Sequence, residues 1–583
     1  MILDNCSSMV YNEHIRINCM ILQIKENDMQ IPKRAKDRQF APLNHSTYEY
    51  YRKNTYQYGD YFAFRHGKIN HLKSEFVADI ESFAYFFKNE LGLNKGDCFS
   101  IFMPTNVESL ILFLALNKIG VIVNFIHPLL PSENFAEIVK FTKSKGVAIL
   151  DMFVPTYVDT IASLKLPVLC CVPATYALPD KYAAQASDAA LAALHDKIDK
   201  FLIYADVLKK YDDKTLGHIV GSRDDVALYM NGGGTTGKSR TIKLTNEALC
   251  NVIHMQGHIA YAAEEIGVDT ELCCMPFFHA FGLCAGALSL INKGCKAIFM
   301  PKFDVDAFVA HFDENKICEF NGVPNMFHKL LEHPDFDGPH LKSVRVMYCG
   351  GDDLSPEFLD EFNAVMRKNG SDAEICQGYG LTECCAVDVV NPPWDNNIRS
   401  IGRPLPGLTI EIWDEEHNKV PVGEIGEIVM HGPTMMQGYL TENGPIDEGL
   451  FEDRNGIKWV LTGDLGKYDE DGYLYFVGRK KRVIIISGYN VYPRDIEKLV
   501  AKLDFVVECC AVQGYDENKK SIVRLYVVAN DGDREEQKKE IRDLCAKYLN
   551  KFSIPKEIEY IDALPRTRVQ KVDFLALTQA KPE

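Results

Sequence analysis

The sequence lacks any run of apolar residues long enough to cross a membrane, and it lacks any excess of positive charge. Among its 583 residues the longest apolar stretch is Leu110–Leu116, bounded by Glu108 and Asn117, whereas a membrane-spanning helix needs about 20 such residues. Its 81 acidic and 64 basic side chains give a net charge of −17, and such a field repels polyanions. We therefore expect no transmembrane segment and no nucleic acid as the main partner.

The sequence also lacks the cysteine spacing of a metal site and the pattern of a secretory signal. Its 18 cysteines show no metal-ligand spacing. Several of them form adjacent pairs: Cys170-Cys171, Cys273-Cys274, Cys384-Cys385 and Cys509-Cys510. Met1–Phe40 contains no charged leader followed by an apolar core and a cleavage site, so we expect free thiols and a cytoplasmic protein.

The chain has no internal repeat, and from Ser46 onward its pattern is that of an α/β protein. Apolar spacing predicts helices over Glu75–Leu91 and Glu108–Lys118, with a strand over Cys98–Met103 between them. The alanine-rich segment Ala183–Leu194 predicts a surface helix. This alternation favours sheets covered by helices, arranged in a large N-terminal domain of several subdomains.

The composition changes in the second half of the chain. Residues 408–477 carry short strands and Gly/Pro/Asp turns, which predict a small β-rich subdomain. Residues 478–583 predict a smaller α+β domain that is richer in basic than in acidic residues and contains helices over Pro493–Leu503 and Asp533–Tyr548. We therefore expect an N-terminal extension (1–45), a large domain (46–477) and a mobile C-terminal domain (478–583).

A glycine-rich segment, Gly232–Ser239, matches the P-loop pattern G-x-x-x-x-G-K-S. A P-loop must run from a strand directly into a helix, whose free amides hold phosphate. Here Val226–Met230 predicts a strand, but Thr241–Leu244 also alternates as a strand, and helical spacing begins only near Asn246. The segment therefore favours a hairpin tip that approaches phosphate, while a P-loop nucleotide switch and a solvated turn remain alternatives.

Further motifs follow in a fixed order after this segment. They are Pro276–Gly282 (PFFHAFG), Gly350-Gly351-Asp352, Gln377–Glu383 (QGYGLTE), Thr462-Gly463-Asp464, Gly478–Arg482 with Gly488–Pro493, and Leu564–Thr567 with Lys571. Together with the glycine-rich segment they resemble the adenylate-forming superfamily, which includes acyl-CoA synthetases, luciferases and the adenylation domains of peptide synthetases. The resemblance covers Ser46–Leu575.

The resemblance implies an enzyme that uses ATP and Mg²⁺ to activate a carboxylic acid as acyl-AMP and passes the acyl group to a thiol, expected to be coenzyme A. It implies phosphate contacts from the hairpin tip, formed by Gly233, Gly234, Thr235, Thr236, Gly237 and Lys238. Glu383 is expected to hold Mg²⁺ together with Thr235, because hard oxygen ligands suit that ion. Thr382 is expected to contact the α-phosphate.

The nucleoside part of the site follows from the same resemblance. The adenine side is expected to be formed by Gly350, Gly351, Asp352, Gln377, Gly378 and Tyr379. Tyr379 offers an aromatic face to adenine. Asp464 can accept hydrogen bonds from both ribose hydroxyls, and Arg479 can add a charge-assisted contact.

The resemblance also assigns C-terminal residues to the two half-reactions, acyl-AMP formation and transfer of the acyl group to the thiol. Lys571 is expected to bridge the attacking carboxylate and the α-phosphate as a point charge. The C-terminal domain is then expected to rotate about a hinge at Lys481, bringing the segment near Gly488 to the site for the thiol. Gln570 stands where the family has glycine. Because glycine adopts backbone conformations that glutamine rarely adopts, the loop that carries Lys571 need not follow the family's conformation.

Pro276–Gly282 resembles the acyl-site motif of the superfamily. It contains no acidic residue that could hold a substrate amino group, which favours a fatty or other apolar acid. His279 belongs to the expected catalytic set with Lys571, Thr382 and Glu383. Candidate pocket walls, for which core packing is an equally good interpretation, are His279, Phe281, Asn321, Gly322, Val323, Pro324 and Cys376. A ligase that loads an acyl carrier protein is the first alternative, and a P-loop nucleotide switch is the second.

Overall fold

The structure is a computed structural model that describes residues 45–173, 175–194, 197–198, 200–232, 240–260, 263–441, 449–486, 489–517, 520–566 and 572–579. The chain divides into two units, Met1–Ala41 and Pro42–Glu583, and every element below belongs to the second. None of the described helices is long and apolar enough to cross a membrane.

The strands are numbered in chain order. They are β1 (Phe62–His66), β2 (Ile69–Leu72), β3 (Cys98–Phe102), β4 (Ile122–Phe125), β5 (Ser144–Leu150), β6 (Val168–Cys171), β7 (Phe201–Ile203), β8 (Val226–Gly232), β9 (Arg240–Thr245), β10 (Asp269–Cys273), β11 (Lys296–Phe299), β12 (Lys316–Gly322), β13 (Val346–Cys349), β14 (Ile375–Tyr379), β15 (Val389–Val390), β16 (Arg403–Pro404), β17 (Thr409–Trp413), β18 (Gly426–His431), β19 (Gly438–Leu440), β20 (Leu450–Glu452), β21 (Lys458–Tyr468), β22 (Leu474–Arg479), β23 (Ile484–Ile486), β24 (Tyr489–Val491), β25 (Val506–Tyr515), β26 (Ser521–Ala529) and β27 (Glu557–Tyr560).

The helices are numbered in the same way. They are α1 (Thr47–Thr55), α2 (Lys73–Tyr85), α3 (Val107–Lys118), α4 (Ser132–Phe141), α5 (Val154–Leu164), α6 (Asp188–Leu194), α7 (Tyr204–Tyr211), α8 (Asn246–Gln256), α9 (Val305–Glu314), α10 (Pro324–Glu332), α11 (Pro356–Lys368), α12 (Pro493–Val500), α13 (Arg534–Tyr548) and α14 (Phe574–Gln579). Two π-helical segments, Phe86–Glu90 and Phe281–Leu288, add to these.

Two large sheets form the N-terminal part of the fold. The first has the strand order β16-β15-β14-β13-β12-β10-β11-β1-β2, and the second β19-β9-β8-β4-β3-β5-β6-β7. Strands β10 to β14 run parallel, as do β3 to β8 in the second sheet. Such sheets are buried on both faces, and β3 accordingly has no exposed residue.

Smaller sheets follow, in agreement with the predicted β-rich segment and α+β tail. Strands β17, β18, β20, β21 and β22 form a five-stranded sheet. Beyond Arg479, β23 pairs with β24, and β25, β26 and β27 form a sheet whose core includes Ile496 of α12 and Ile541 of α13. The fold is therefore the expected α/β architecture with a large N-terminal domain and a smaller C-terminal domain.

The predicted helices near the N-terminus are confirmed, except that the predicted Glu75–Leu91 helix is α-helical only to Tyr85 and π-helical over Phe86–Glu90. Helix α3 is buried along its whole length because it lies in the core, and Asn106 caps it by accepting from the amide of Ser109 at 2.8 Å. The alanine-rich segment is shorter than predicted, since α6 begins only at Asp188. It is a surface helix as predicted, because Asp188, Ala189 and Ala192 are exposed while Ala190 packs into a core cluster on the inner face.

The fold gathers a buried ion-pair cluster that the cysteine spacing did not indicate. Nζ of Lys293 lies 2.7 Å from the Glu319 carboxylate and 3.4 Å from that of Glu271. The Cys295 and Cys318 sulfurs lie within 4.8 Å of the Glu271 carboxylate and of each other. Since Lys293 already supplies the positive charge that a metal would bring, we interpret this cluster as structural.

Candidate functional site

The candidate site lies at the carboxyl ends of the parallel strands β12, β13 and β14. Parallel α/β sheets place ligands at these ends. Three predicted segments meet there, because β13 pairs with both neighbours and each strand ends in a motif: Asn321-Gly322 ends β12, Gly350-Gly351-Asp352 follows β13, and Gln377-Gly378-Tyr379 ends β14.

Glycine is required in the turn after β13. Gly351 has a φ of +87°, a conformation that other residues rarely adopt. The requirement falls on Gly351 alone, because a Cβ atom on Gly350 would make only ordinary contacts, 3.6 Å from the Gly378 carbonyl oxygen and 3.7 Å from the Phe281 ring. The Gln377 side chain, which is buried, accepts from the amide of Leu354 at 2.9 Å and so fixes the end of this turn.

Tyr379, Asp464 and Arg479 form one connected group. The Tyr379 hydroxyl donates to Oδ2 of Asp464 at 2.6 Å, and Nη1 of Arg479 lies 2.8 Å from Oδ1. Asp464 and Arg479 are cross-strand partners in the β21–β22 pair, which explains their contact. Burial, followed by the Asp464 charge, raises the pKa of Tyr379 well above its ordinary value, so its hydroxyl remains a donor.

The Thr382–Cys384 turn presents the two residues expected at the phosphates and metal. It is tightly wound, because a Cβ on Gly380 would lie 2.3 Å from the Ala386 carbonyl oxygen, and Ala386 itself has a φ of 72°. Oδ2 of the buried Asp388 accepts from the Leu381 amide at 3.3 Å. Burial raises the pKa of Asp388 well above its ordinary value.

Glu383, the expected metal ligand, is half-buried in this turn. The Tyr439 hydroxyl donates to its Oε1 at 2.9 Å, and the Met436 amide donates to its backbone carbonyl at 2.7 Å. Sequence patterns did not single out Tyr439 because β19 is only three residues long, too short for a periodic signal.

The acyl-site motif lies beside the same strand ends. The Phe281 ring contacts the position where Gly350 would carry a side chain, and Val323 Cγ1 lies 3.7 Å from the corresponding position of Gly351. Nδ2 of Asn321 donates to the Ala285 carbonyl of the π-helical segment at 3.4 Å. Phe281 and Val323 therefore form an aromatic and aliphatic wall beside the strand ends, and Asn321 ties β12 to the π-helical segment.

The other predicted wall residues differ in their surroundings. The His279 side chain is exposed at the rim of the motif, and Pro324 starts α10 at the first helical position. The Cys376 thiol is buried and lies 3.8 Å from the Glu374 carbonyl, and burial raises its pKa. Cys376 therefore behaves as a packed core residue.

The three cations after β22, Lys480, Lys481 and Arg482, differ in their contacts. Lys480 pairs with Glu427 at 2.8 Å, and Arg482 pairs with Glu497 of α12. Lys481, between them, is exposed. The predicted hinge position is thus flanked by two anchored residues.

A contact between α12 and the turn after β13 was not predicted. Nη2 of Arg494 lies 2.5 Å from Oδ1 of Asp353, and Lys498 pairs with the same carboxylate. Lys502 lies 3.2 Å from Glu357 on α11. Burial opposes ionisation of Asp353, but Arg494 and Lys498 outweigh it and hold its pKa below the ordinary value.

Several predicted residues lie outside the described part of the chain: Gly233, Gly234, Thr235, Thr236, Gly237, Lys238, Gly488 and Lys571. Their flanks are described. Strands β8 and β9, on either side of the glycine-rich tip, pair antiparallel, and helix α8 begins only at Asn246, with Thr245 as its cap. The P-loop interpretation, which needs a helix starting at Lys238, is therefore not supported.

Comparisons with known proteins agree with this geometry. A family model described as "AMP-binding enzyme" matches residues 52–440, and one described as "AMP-binding enzyme C-terminal domain" matches residues 495–571. The long-chain-fatty-acid–CoA ligase of Yersinia pestis is 27% identical over 511 residues, covering 84% of this chain and 86% of that protein.

A second relative and a solved structure extend the comparison. The 3-[(3aS,4S,7aS)-7a-methyl-1,5-dioxo-octahydro-1H-inden-4-yl]propanoyl:CoA ligase of Rhodococcus jostii (strain RHA1) is 27% identical over 534 residues, covering 90% of this chain and 96% of that protein. ATP-bound MatB from Rhodopseudomonas palustris superposes with a TM-score of 0.75 at 22% identity, covering 92% of this chain and 99% of that one. The chain belongs to the AMP-binding enzyme family, the adenylate-forming superfamily that its motifs indicate.

Proposed function

We propose that this chain is an acid–thiol ligase that converts a carboxylic acid and ATP into acyl-AMP and pyrophosphate, and then transfers the acyl group to coenzyme A. The observation that carries the proposal is a convergence at the ends of β12, β13 and β14. The Thr382–Glu383 turn, the Tyr379–Asp464–Arg479 group and an apolar wall around Phe281 lie within one region of a family member.

The nucleotide roles follow from these positions. The glycine-rich tip is proposed to cradle the phosphates through Gly233, Gly234, Thr235, Thr236, Gly237 and Lys238, because exposed backbone amides bind anions. Asp464 is proposed to hold the ribose, with Arg479 keeping its carboxylate oriented. The turn formed by Gly350, Gly351 and Asp352 is proposed to border adenine.

The donor set near Thr382 fits Mg²⁺. Glu383 offers a half-buried carboxylate, and hydrogen bonds hold both the side chain and the backbone of this residue. Thr235 is proposed as a second oxygen ligand. When bound, Mg²⁺ supplies positive charge that offsets the phosphates. Thr382 is proposed to donate to the α-phosphate.

Acyl-AMP formation joins two anions, so it depends on cations placed beside them. A carboxylate oxygen attacks the α-phosphorus, and the bond to the departing pyrophosphate breaks. Lys571 is proposed to bridge the carboxylate and the α-phosphate as a fixed charge. Arg566 and Val572, the described residues on either side of the segment that carries this lysine, form an antiparallel bridge.

Thiol transfer is proposed to use a second orientation of residues 478–583. Lys481 is the proposed hinge, and its anchored neighbours support this role, because Lys480 pairs with β18 and Arg482 pairs with α12. Rotation at this point would withdraw the Lys571 loop and bring the segment around Gly488 to the acyl-AMP.

The proposed substrate is a fatty or other apolar acid. The wall formed by Phe281, Val323 and the strand-end glycines is aromatic and aliphatic, which suits an acyl chain. The two relatives above are named as ligases of a long-chain fatty acid and of a ring-bearing propanoate. The described cysteines are free, which supports the cytoplasmic location that we propose.

Pyrophosphate release across a panel of carboxylic acids, from short aliphatic to long-chain and aryl, tests the first half-reaction. We expect release with apolar acids and a large loss in Glu383→Gln. Thioester formation with coenzyme A and with holo-acyl carrier protein then identifies the acceptor. ATP hydrolysis to ADP without AMP would contradict the proposal, and acyl transfer only to the carrier protein would contradict the coenzyme A assignment.

A further inference from the structure

Tyr439 connects the expected metal ligand to a different sheet. Its hydroxyl donates to Oε1 of Glu383 at 2.9 Å. Tyr439 is 8% exposed, so little water competes for this hydrogen bond. A buried phenol that donates to a partly exposed carboxylate restricts the rotation of that carboxylate.

The segment that carries Tyr439 also makes backbone hydrogen bonds to Glu383 and to β9. The Met436 amide donates to the Glu383 carbonyl at 2.7 Å. The next amide, that of Gln437, donates to the Lys243 carbonyl at 2.9 Å. In the β19–β9 pair, Tyr439 stands opposite Ile242. Residues 436–440 thus connect the turn that carries Glu383 to β9.

Arg240 completes this connection from the other side. It is the first residue of β9, and its guanidinium carbon lies 5.3 Å above the centre of the Tyr439 ring. The Tyr439 side chain is therefore held from two sides, by the hydrogen bond to Glu383 and by the ring contact with Arg240.

We propose that Tyr439 is a positioning residue for Mg²⁺ and ATP: its hydroxyl occupies Oε1 of Glu383, leaves Oε2 for the metal, and ties that carboxylate to β9. This inference rests on the proposed function, in which Glu383 holds Mg²⁺. Residues that hydrogen-bond to metal ligands tune metal affinity, and their loss typically lowers it about 10- to 100-fold. We expect loss of the Tyr439 hydroxyl to lie at the lower end of that range, since the Met436 contact remains.

The test measures binding without turnover. Affinity for α,β-methylene-ATP is determined by titration calorimetry with and without Mg²⁺, and the ratio of the two values is the Mg²⁺ enhancement. The variants are Tyr439→Phe, Glu383→Gln and their combination. Tyr157→Phe is the matched control, because Tyr157 is 7% exposed and its hydroxyl donates to the Leu130 carbonyl at 2.6 Å, in another part of the fold.

We expect Tyr439→Phe to lower the Mg²⁺ enhancement about tenfold while affinity for the nucleotide alone and the melting temperature stay close to wild type. Glu383→Gln should lower the enhancement at least as much, and the double variant should match Glu383→Gln. Wild-type enhancement in Tyr439→Phe, beside a loss in Glu383→Gln, overturns this inference alone. Wild-type enhancement in Glu383→Gln instead overturns the proposed metal site on which it rests.

Discussion

Glu108 lies in the first turn of α3, in surroundings that disfavour its ionised form. It is fully buried, and within the described part of the chain neither carboxyl oxygen has a hydrogen-bond partner. Burial raises its pKa from 4.5 to about 8. The folded chain therefore keeps Glu108 protonated at pH 7, whereas the unfolded chain ionises it.

The direction of the pH effect follows from this difference. Between pH 4.5 and about 8 the folded state binds more protons at Glu108 than the unfolded state does. Because Glu108 ionises in the unfolded chain and not in the folded one, the free energy of unfolding falls as pH rises through this window. At about 1.4 kcal/mol per pH unit above 4.5, the cost at pH 7 is about 3 kcal/mol. Glu108→Gln keeps the shape of the side chain and removes this cost.

The free energy of unfolding of Glu108→Gln and wild type, measured by denaturant titration from pH 4.5 to 8.5, tests the reasoning. We expect the two to differ little at pH 4.5 and the variant to gain about 3 kcal/mol over wild type by pH 7. The control is Glu133→Gln, because Glu133 holds the matching place in α4 but is exposed. A difference that does not grow with pH would refute the argument.

Four other residues give predictions of the same kind. Lys571→Ala should nearly abolish acyl-AMP formation, measured as pyrophosphate release, yet spare thioester formation from preformed acyl-AMP; equal loss of both steps would contradict its role. Lys481→Pro should preserve adenylation and block thiol transfer, and retained full turnover would count against the hinge. Asp353→Asn should leave Arg494 and Lys498 without their anion, so amide hydrogen exchange in α12 should accelerate; unchanged exchange would show that packing alone holds α12. Lys293→Met should leave two buried carboxylates uncompensated and lower the denaturation midpoint by an amount equivalent to about 3–5 kcal/mol; a midpoint equal to wild type would refute the ion-pair interpretation.

The sequence alone predicts a feature of the site where a residue type and its neighbours in the chain determine the local conformation. Gly351 is such a case, because only a turn with positive φ requires glycine there. The antiparallel β8–β9 pair is another, since alternation in Thr241–Leu244 already argued against a P-loop helix. Tyr439 was not recoverable, because its partner Glu383 stands 56 positions earlier and no local pattern relates the two.

The sequence by itself determined the family, the α/β architecture and the identity of the groups proposed to meet ATP, because hydrophobic periodicity and short motifs are local properties of the chain. Tertiary structure alone decided which charges face each other. It paired Arg494 with Asp353, placed Lys293 between two carboxylates and set the Tyr439 hydroxyl on Glu383. Such contacts depend on how sheets and helices pack over long sequence separations, and a hydrogen bond or ion pair requires a distance of a few ångströms that only the packed chain fixes.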